Sequence, residues 1–391
     1  MKIIASAISL LASLSGCNAE TPLLRATIST DDSSPSIIDL SQEMPRDEAA
    51  ILSSPFAKEA LENESQDPRT RNVLVLENGS IVSSYTRDDV DPNEPSNVAS
   101  VTKSWMSLLF GMLVDDGLLS LDETLGDIFP DDAAWADVTD GSTDFRKSAT
   151  IEELLTMTSG LFDTFEMLFG PEPGGKSLEK SFSYPLLGVK GEWAYLAASQ
   201  IHSYIIKERT GMTPRQYLAE NVMGKLGSAE DEYDWDQTSD GIEFGSFGLS
   251  LTPMQMAKFG QLYLQGGRTN PSNDERLISE KWIDASLTHH STTGYSTMFG
   301  GEAAQGLSYG YTFMGLHEYP SGSIVYCASG AGGQAICVDR EFDCVLVLQK
   351  ETPFENSKNL GLVVDSTESE SFRAPNGGLS EFSSPVESRT E

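Results

Sequence analysis

The run Ser100-Val101-Thr102-Lys103-Ser104-Trp105-Met106-Ser107-Leu108-Leu109-Phe110-Gly111-Met112-Leu113-Val114, closed by Asp115-Asp116-Gly117, is the most informative stretch of the chain. It is apolar on nearly every face. A helix of that kind has to be buried, and Gly117 is its natural C-terminal cap. Ser100 and Lys103 stand three residues apart in the first turn, on one face and within reach of each other. A lysine at the end of a desolvated helix has its pKa lowered, and a neutral amine can take the serine proton. The positive end of the helix dipole favours the alkoxide that develops. The pattern points to a nucleophile and its base; the competing reading is a capping serine with a salt-bridged lysine.

Context separates this Ser-x-x-Lys from a second copy, Ser177-Leu178-Glu179-Lys180, which follows a Pro/Gly loop, opens no buried helix and reads as a surface coincidence. Upstream of the buried run, Pro45 to about Glu62 has the spacing of an amphipathic helix, with Ile51, Leu52, Phe56 and Leu61 on one face. Two apolar runs, 72–76 and 81–85, then flank Glu77-Asn78-Gly79-Ser80, and Asn-Gly in that setting predicts a β-hairpin. From Ser100 to about Tyr263 the pattern is mostly helical, and strands return at 324–327, 334–338 and 344–348. Strands at both ends with helices between predict an α+β fold. One antiparallel sheet, completed by the two ends of the domain and flanked by helices, carries a mainly helical subdomain. The domain is expected over 46–364.

Taken together and in order, five segments resemble the class C β-lactamase and penicillin-binding-protein-like serine hydrolases. They are Ser100-Val101-Thr102-Lys103, Thr150-Ile151-Glu152-Glu153-Leu154-Leu155-Thr156-Met157-Thr158-Ser159-Gly160-Leu161, Ile205-Ile206-Lys207-Glu208-Arg209-Thr210-Gly211, Thr252-Pro253-Met254-Gln255-Met256-Ala257-Lys258-Phe259-Gly260 and Ser329-Gly330-Ala331-Gly332-Gly333-Gln334. The likeness runs from about residue 46 to 350. It implies the serine β-lactamase/DD-peptidase-like fold, with Ser100 as nucleophile. In that family a tyrosine shares the general-base role, and Tyr195 holds its place in Trp193-Ala194-Tyr195-Leu196-Ala197-Ala198-Ser199; a core aromatic is the alternative.

Two departures from the family pattern bear on substrate. The position two after the tyrosine normally binds a substrate amide, but here it is Ala197, whose methyl cannot hydrogen-bond, so Ser199 or a water has to substitute. The family strand facing the nucleophile carries Lys or His two before a glycine, whereas Ala328-Ser329-Gly330 has alanine there and lacks the cation that meets a substrate carboxylate. The resemblance still implies substrate contacts at Ser329, Gly330 and Ala331, with the amides of Ser100 and Ala331 as oxyanion hole. The expected activity is therefore an esterase-like serine hydrolase cleaving a small-molecule ester or amide through an acyl-enzyme. A β-lactamase or D-alanyl-D-alanine carboxypeptidase, and a non-catalytic surface-anchored binding protein of the same fold, are the alternatives. No metal or organic cofactor is implied. A bare Gly-x-Ser-x-Gly match at Gly306-Leu307-Ser308-Tyr309-Gly310 lacks the strand-to-helix context of a nucleophile elbow.

The flanks concern location. Met1-Lys2 precedes an apolar stretch from Ile3 to Leu14, well short of the roughly 20 residues a membrane span needs, and residues 1–17 read as a signal. Leu14-Ser15-Gly16-Cys17 resembles the bacterial lipobox, which would put a lipid anchor on Cys17; a plain signal cut near Ala19 is the alternative. Either way the protein is expected to be exported, periplasmic or extracellular, with no transmembrane span after processing. Residues 18–45 read as a linker and 365–391 as a disordered tail. Cys327, Cys337 and Cys344 show no metal-ligand spacing. With a hairpin turning at Arg340-Glu341, Cys337 and Cys344 would fall opposite each other and could form a disulfide; three small buried strand residues is the other reading. Finally, 59 Asp+Glu against 26 Lys+Arg give a net charge of −33, which argues against nucleic acid as a partner.

Overall fold

The computed structural model describes residues 36–47, 49–130, 145–161, 189–195, 199–238, 240–272, 275–294 and 305–352. The signal, most of the linker, the second Ser-x-x-Lys and the tail lie outside the described residues. The elements run α1 (Pro55–Glu64), β1 (Thr70–Glu77), β2 (Ser80–Thr86), β3 (Ser96–Asn97), α2 (Thr102–Asp115), α3 (Leu125–Ile128) and α4 (Ile151–Leu155). They continue with α5 (Ser199–Thr210), α6 (Pro214–Asn221), β4 (Asp234–Trp235), β5 (Leu249–Leu251), α7 (Pro253–Leu264) and α8 (Glu280–Ser286). The last are β6 (Ser291–Thr292), β7 (Ser308–Tyr309), β8 (Met314–Glu318), β9 (Ile324–Gly330), β10 (Gln334–Asp339) and β11 (Cys344–Lys350).

One eight-stranded sheet has the order β2-β1-β11-β10-β9-β8-β7-β6. Its pairings are antiparallel, and the opening hairpin meets the final strand, with Val75 opposite Leu346. The expected α+β architecture, with a sheet closed by both ends of the domain, is what forms. Asn78 and Gly79 both take positive φ at the β1–β2 turn, as an Asn-Gly hairpin requires.

Side-chain alternation puts a core on each face of the sheet. Val73, Val75, Leu346 and Leu348 pack with Phe56 and Ala57 of α1 on one side. Leu74, Leu76, Val345 and Val347 face the larger core on the other, with α2 and α7. Every residue of α2 from Thr102 to Leu113 is buried. Trp105 stacks on Phe259 of α7 at 4.5 Å between ring centroids. Each fully buried Leu or Phe of that helix contributes about 1.5–3 kcal/mol, so α2 is held from its first turn to Leu113.

Three expectations need correction. Helix α1 begins at Pro55, not Pro45, because Ser54 caps it by accepting from the Ala57 amide, with proline next in the first turn. Residues 36–45, expected as linker, pack on the domain instead: Leu40 and Met44 are buried, and the Leu40 amide donates to Thr269 O at 2.8 Å. The disulfide joins Cys327 to Cys337, opposite each other on β9 and β10, and Cys344 is a free, buried thiol. The last hairpin pairs Asp339 with Cys344, two residues off the expected register. Its loop is four residues long, with Asp343 at φ 46 and the Asp339 carboxylate accepting from the Glu341 and Phe342 amides.

Candidate active site

The site begins at β3, where Asn97 Oδ1 accepts from the Ala99 amide at 2.8 Å. Ala99 sits at φ 49, a left-handed conformation that costs a non-glycine residue on the order of 1–2 kcal/mol. Thr102 Oγ1 donates to Ala99 O at 2.7 Å and accepts from the Leu249 amide of β5 at 3.3 Å, so the kink is clamped from both sides. A single 3-10 turn, Ala99–Val101, then leads into α2. Ser100 is left half-buried at the helix start, while Lys103 is 2% exposed.

Lys103 Nζ donates to Ser100 Oγ at 3.1 Å and to the Ser246 carbonyl at 2.8 Å. It also stands 5.2 Å from the centroid of the Tyr195 ring. Burial pushes the Tyr195 phenol up to about 12, and its hydrogen bond with Ser100 opposes that rise. The phenol is therefore protonated at neutral pH. Ser100, Lys103 and Tyr195 thus meet around one hydroxyl, in a geometry that can carry a proton away from the serine and hand it to a leaving group.

The end of β9 closes the other side. An added Cβ on Gly330 would lie 2.5 Å from Val98 O and 3.2 Å from Ser100 N, so only glycine lets this strand approach the Ser100 turn so closely. Ser329 lines the pocket beside Gly330, and Ala331 is exposed in the β9–β10 turn. The Ala328 methyl is fully buried in the larger core, so no cation is presented from that position. Ser199 opens α5, but its side chain, like Ala197, lies outside the described residues.

Several lining residues carry no signal in the sequence. About 220 Å³ of space open to solvent is bounded by Ser100, Lys103, Tyr195, Tyr309, Thr312, Met314, Cys327 and Ser329. Trp193, 6.0 Å from Tyr195 and edge-on to Tyr309 at 5.7 Å, joins Met157, Phe244, Phe247 and Met314 in an aromatic and thioether cluster. Thr312 takes φ 67, an outlier for a β-branched residue. It is held there because its Oγ1 donates to Lys103 O at 3.2 Å and its carbonyl accepts from Ser104 Oγ at 2.9 Å. Only its backbone conformation marks Thr312 as unusual, which is why residue type does not reveal it.

The histidines stand apart from this triad. His202 is buried, edge-on to Phe110 at 5.0 Å; burial first, and the Lys103 charge second, pull its imidazole down to about 3. It is a neutral core residue. In the Gly-x-Ser-x-Gly match, Ser308 Oγ meets Tyr326 OH at 2.7 Å and His289 Nδ1 at 3.1 Å, but it lies on the two-residue strand β7 and not at a strand-to-helix elbow.

Comparison with known proteins agrees with this architecture. The family model described as Beta-lactamase matches residues 62–365. The 6-aminohexanoate-dimer hydrolase of Paenarthrobacter ureafaciens is 24% identical over 324 residues, covering 76% of this chain and 77% of its own. Among solved structures, a penicillin-binding protein homologue from Caulobacter crescentus superposes with a TM-score of 0.57 at 16% identity, over 79% of this chain and 93% of that one. EstCE1, a hydrolase with promiscuous acyltransferase activity, gives 0.56 at 14% identity, over 79% and 95%. At these identities the structural likenesses show the fold.

Proposed function

We propose, from the premise that this chain belongs to the Beta-lactamase family, that it is an esterase-like serine hydrolase that forms an acyl-enzyme on Ser100. Ser100 Oγ attacks the carbonyl carbon of a small ester or amide. Its proton passes to the Lys103 amine, with the Tyr195 hydroxyl in the same hydrogen-bonded group, and from there to the leaving oxygen or nitrogen. The amides of Ser100 and Ala331 stabilise the oxyanion. Water enters by the reverse path, gives up its proton to the same pair and releases the acid. The observation that carries this reading is the 3.1 Å contact of Lys103 Nζ with Ser100 Oγ at the head of a buried helix.

Preference for an uncharged substrate rests on what lines the pocket. Among its described lining residues Lys103 is the one basic side chain, and the rest of the wall is aromatic, thioether, disulfide and hydroxyl. A substrate carboxylate, as in a penicillin or a D-alanyl peptide, would be desolvated there without a partner of its own. Side-by-side labelling tests this: a fluorophosphonate should modify Ser100, and a fluorescent penicillin should label far more slowly. Strong penicillin labelling that depends on Ser100 would favour the β-lactamase or carboxypeptidase reading. We further propose export, which the Cys327–Cys337 disulfide supports, since such bonds persist in oxidising compartments. The mass of the mature N-terminus would distinguish a lipid on Cys17 from a cut near Ala19.

A further inference from the structure

Against the β9–β10 turn packs a buried charge cluster that the proposed chemistry does not use. Lys350, the last residue of β11, is 1% exposed, and its ammonium forms ion pairs with Glu64, at the end of α1, and with Asp67 at 2.9 Å. Asp67 is held well below the usual carboxylate range, first by its hydrogen bond to Arg69 and further by Lys350. Taking a lysine and two carboxylates out of water is costly, and such a group rarely increases stability over an apolar core of the same shape. Its position suggests another role.

The aliphatic stem of Lys350 runs directly under the turn. A Cβ added to Gly333, which sits at φ +100, would lie 2.7 Å from Lys350 Cδ. The backbone of Lys350 is also tied to Gln334, the residue that closes the turn. Gln334 Nε2 donates to Lys350 O at 2.7 Å, and the Lys350 amide donates to Gln334 Oε1 at 3.3 Å. Next along the chain, the Glu351 amide donates to Arg69 O at 2.8 Å, and a Cβ on Gly332 would meet Glu351 O at 3.0 Å. The turn from Gly330 to Gln334 therefore rests on a platform whose tip is pinned by Glu64 and Asp67.

We infer that Lys350, pinned by Glu64 and Asp67, is a positioning residue that holds the β9–β10 turn so that the Ala331 amide faces the carbonyl bound at Ser100. The inference rests on the proposed oxyanion role of Ala331 and adds the part of the molecule that sets it. An oxyanion donor acts in the transition state, so loosening it should lower kcat and leave KM nearly unchanged.

The test compares wild type, Lys350→Met, which keeps the stem and removes the charge, and the double variant Glu64→Gln/Lys350→Met, which leaves no new unpaired charge. The double variant serves if the single one fails to fold. Expected is a fall in kcat on a nitrophenyl ester of roughly 10- to 100-fold, with KM within about threefold and a matching loss of affinity for phenylboronic acid, whose tetrahedral adduct mimics the oxyanion. Amide hydrogen exchange over residues 328–336 should speed up, while exchange at the centre of β1 and β11 stays slow. Unchanged kcat, or unchanged exchange in the turn of a folded variant, would overturn the inference. Because exchange needs no turnover, faster exchange in the turn with a wild type that hydrolyses nothing would sink the esterase reading alone.

Discussion

The two walls of the site are built differently. On one side, the 3-10 turn Ala99–Val101 and the first turn of α2 present Ser100 and Lys103 as side chains, three residues apart and fixed by a helix buried from Thr102 to Leu113. On the other, the segment from Ser329 to Gln334 has no charged side chain and brings its backbone up to the Ser100 turn through Gly330. In the proposed mechanism one wall acts through groups that titrate, and the other through dipoles that do not. Substitutions should therefore act through side-chain chemistry on the first wall, and through the presence of an N–H or the shape of the wall on the second.

The largest effect is expected at Lys103. Lys103→Met removes the proton acceptor and should lower kcat by about 10³- to 10⁴-fold in steady-state ester hydrolysis. Ala331→Pro deletes one N–H from the turn and should cost about 10²- to 10³-fold in kcat, whereas Ala331→Ser, which keeps it, should stay within about twofold. A side-chain effect at Ala331 as large as the proline effect would break the contrast between the walls.

On the helix side a buried imidazole makes stability depend on pH. The His202 imidazole is pulled down to about 3 in the fold by burial and by Lys103, against an unfolded value of 6.5. Between those values the unfolded chain binds more protons. The contribution of neutral His202 is fully present above about pH 6.5 and is lost as pH falls toward 3, at up to about 1.4 kcal/mol per pH unit. Thermal melting should fall across that window, and His202→Leu should flatten the part due to this residue; an unchanged slope would show that His202 is not buried neutral. The smallest expected effect is Met314→Ala in the pocket wall, which should raise kcat/KM for hexanoyl relative to butyryl esters by about tenfold at most.

What could be read from sequence follows the same division. The Ser100–Lys103 pair and the Asn78-Gly79 hairpin were legible because their partners lie within a few residues and local geometry brings them together. The sheet order was legible in outline because apolar strands stand at both ends of the domain. Tyr195 could be assigned only through family resemblance, since its hydrogen bond to Ser100 spans a long stretch of chain. Thr312 and Ala99 owe their places to positive φ values, and Ser246 acts through a carbonyl, so residue type gives no sign of them. The Cys337–Cys344 pairing does not form for a related reason: a four-residue loop after Asp339 shifts the register by two, and the partner of Cys337 lies on β9 instead.

The most direct test of the account is pre-steady-state hydrolysis of a nitrophenyl ester by wild type and Ser100→Ala, with intact mass measured on quenched samples. An acyl-enzyme on Ser100 requires Ser100-dependent turnover, a wild-type mass increase of one acyl group located at Ser100, and a loss of at least about 10³-fold in the alanine variant. Equal rates in the two proteins, with no acyl adduct on Ser100, would contradict it.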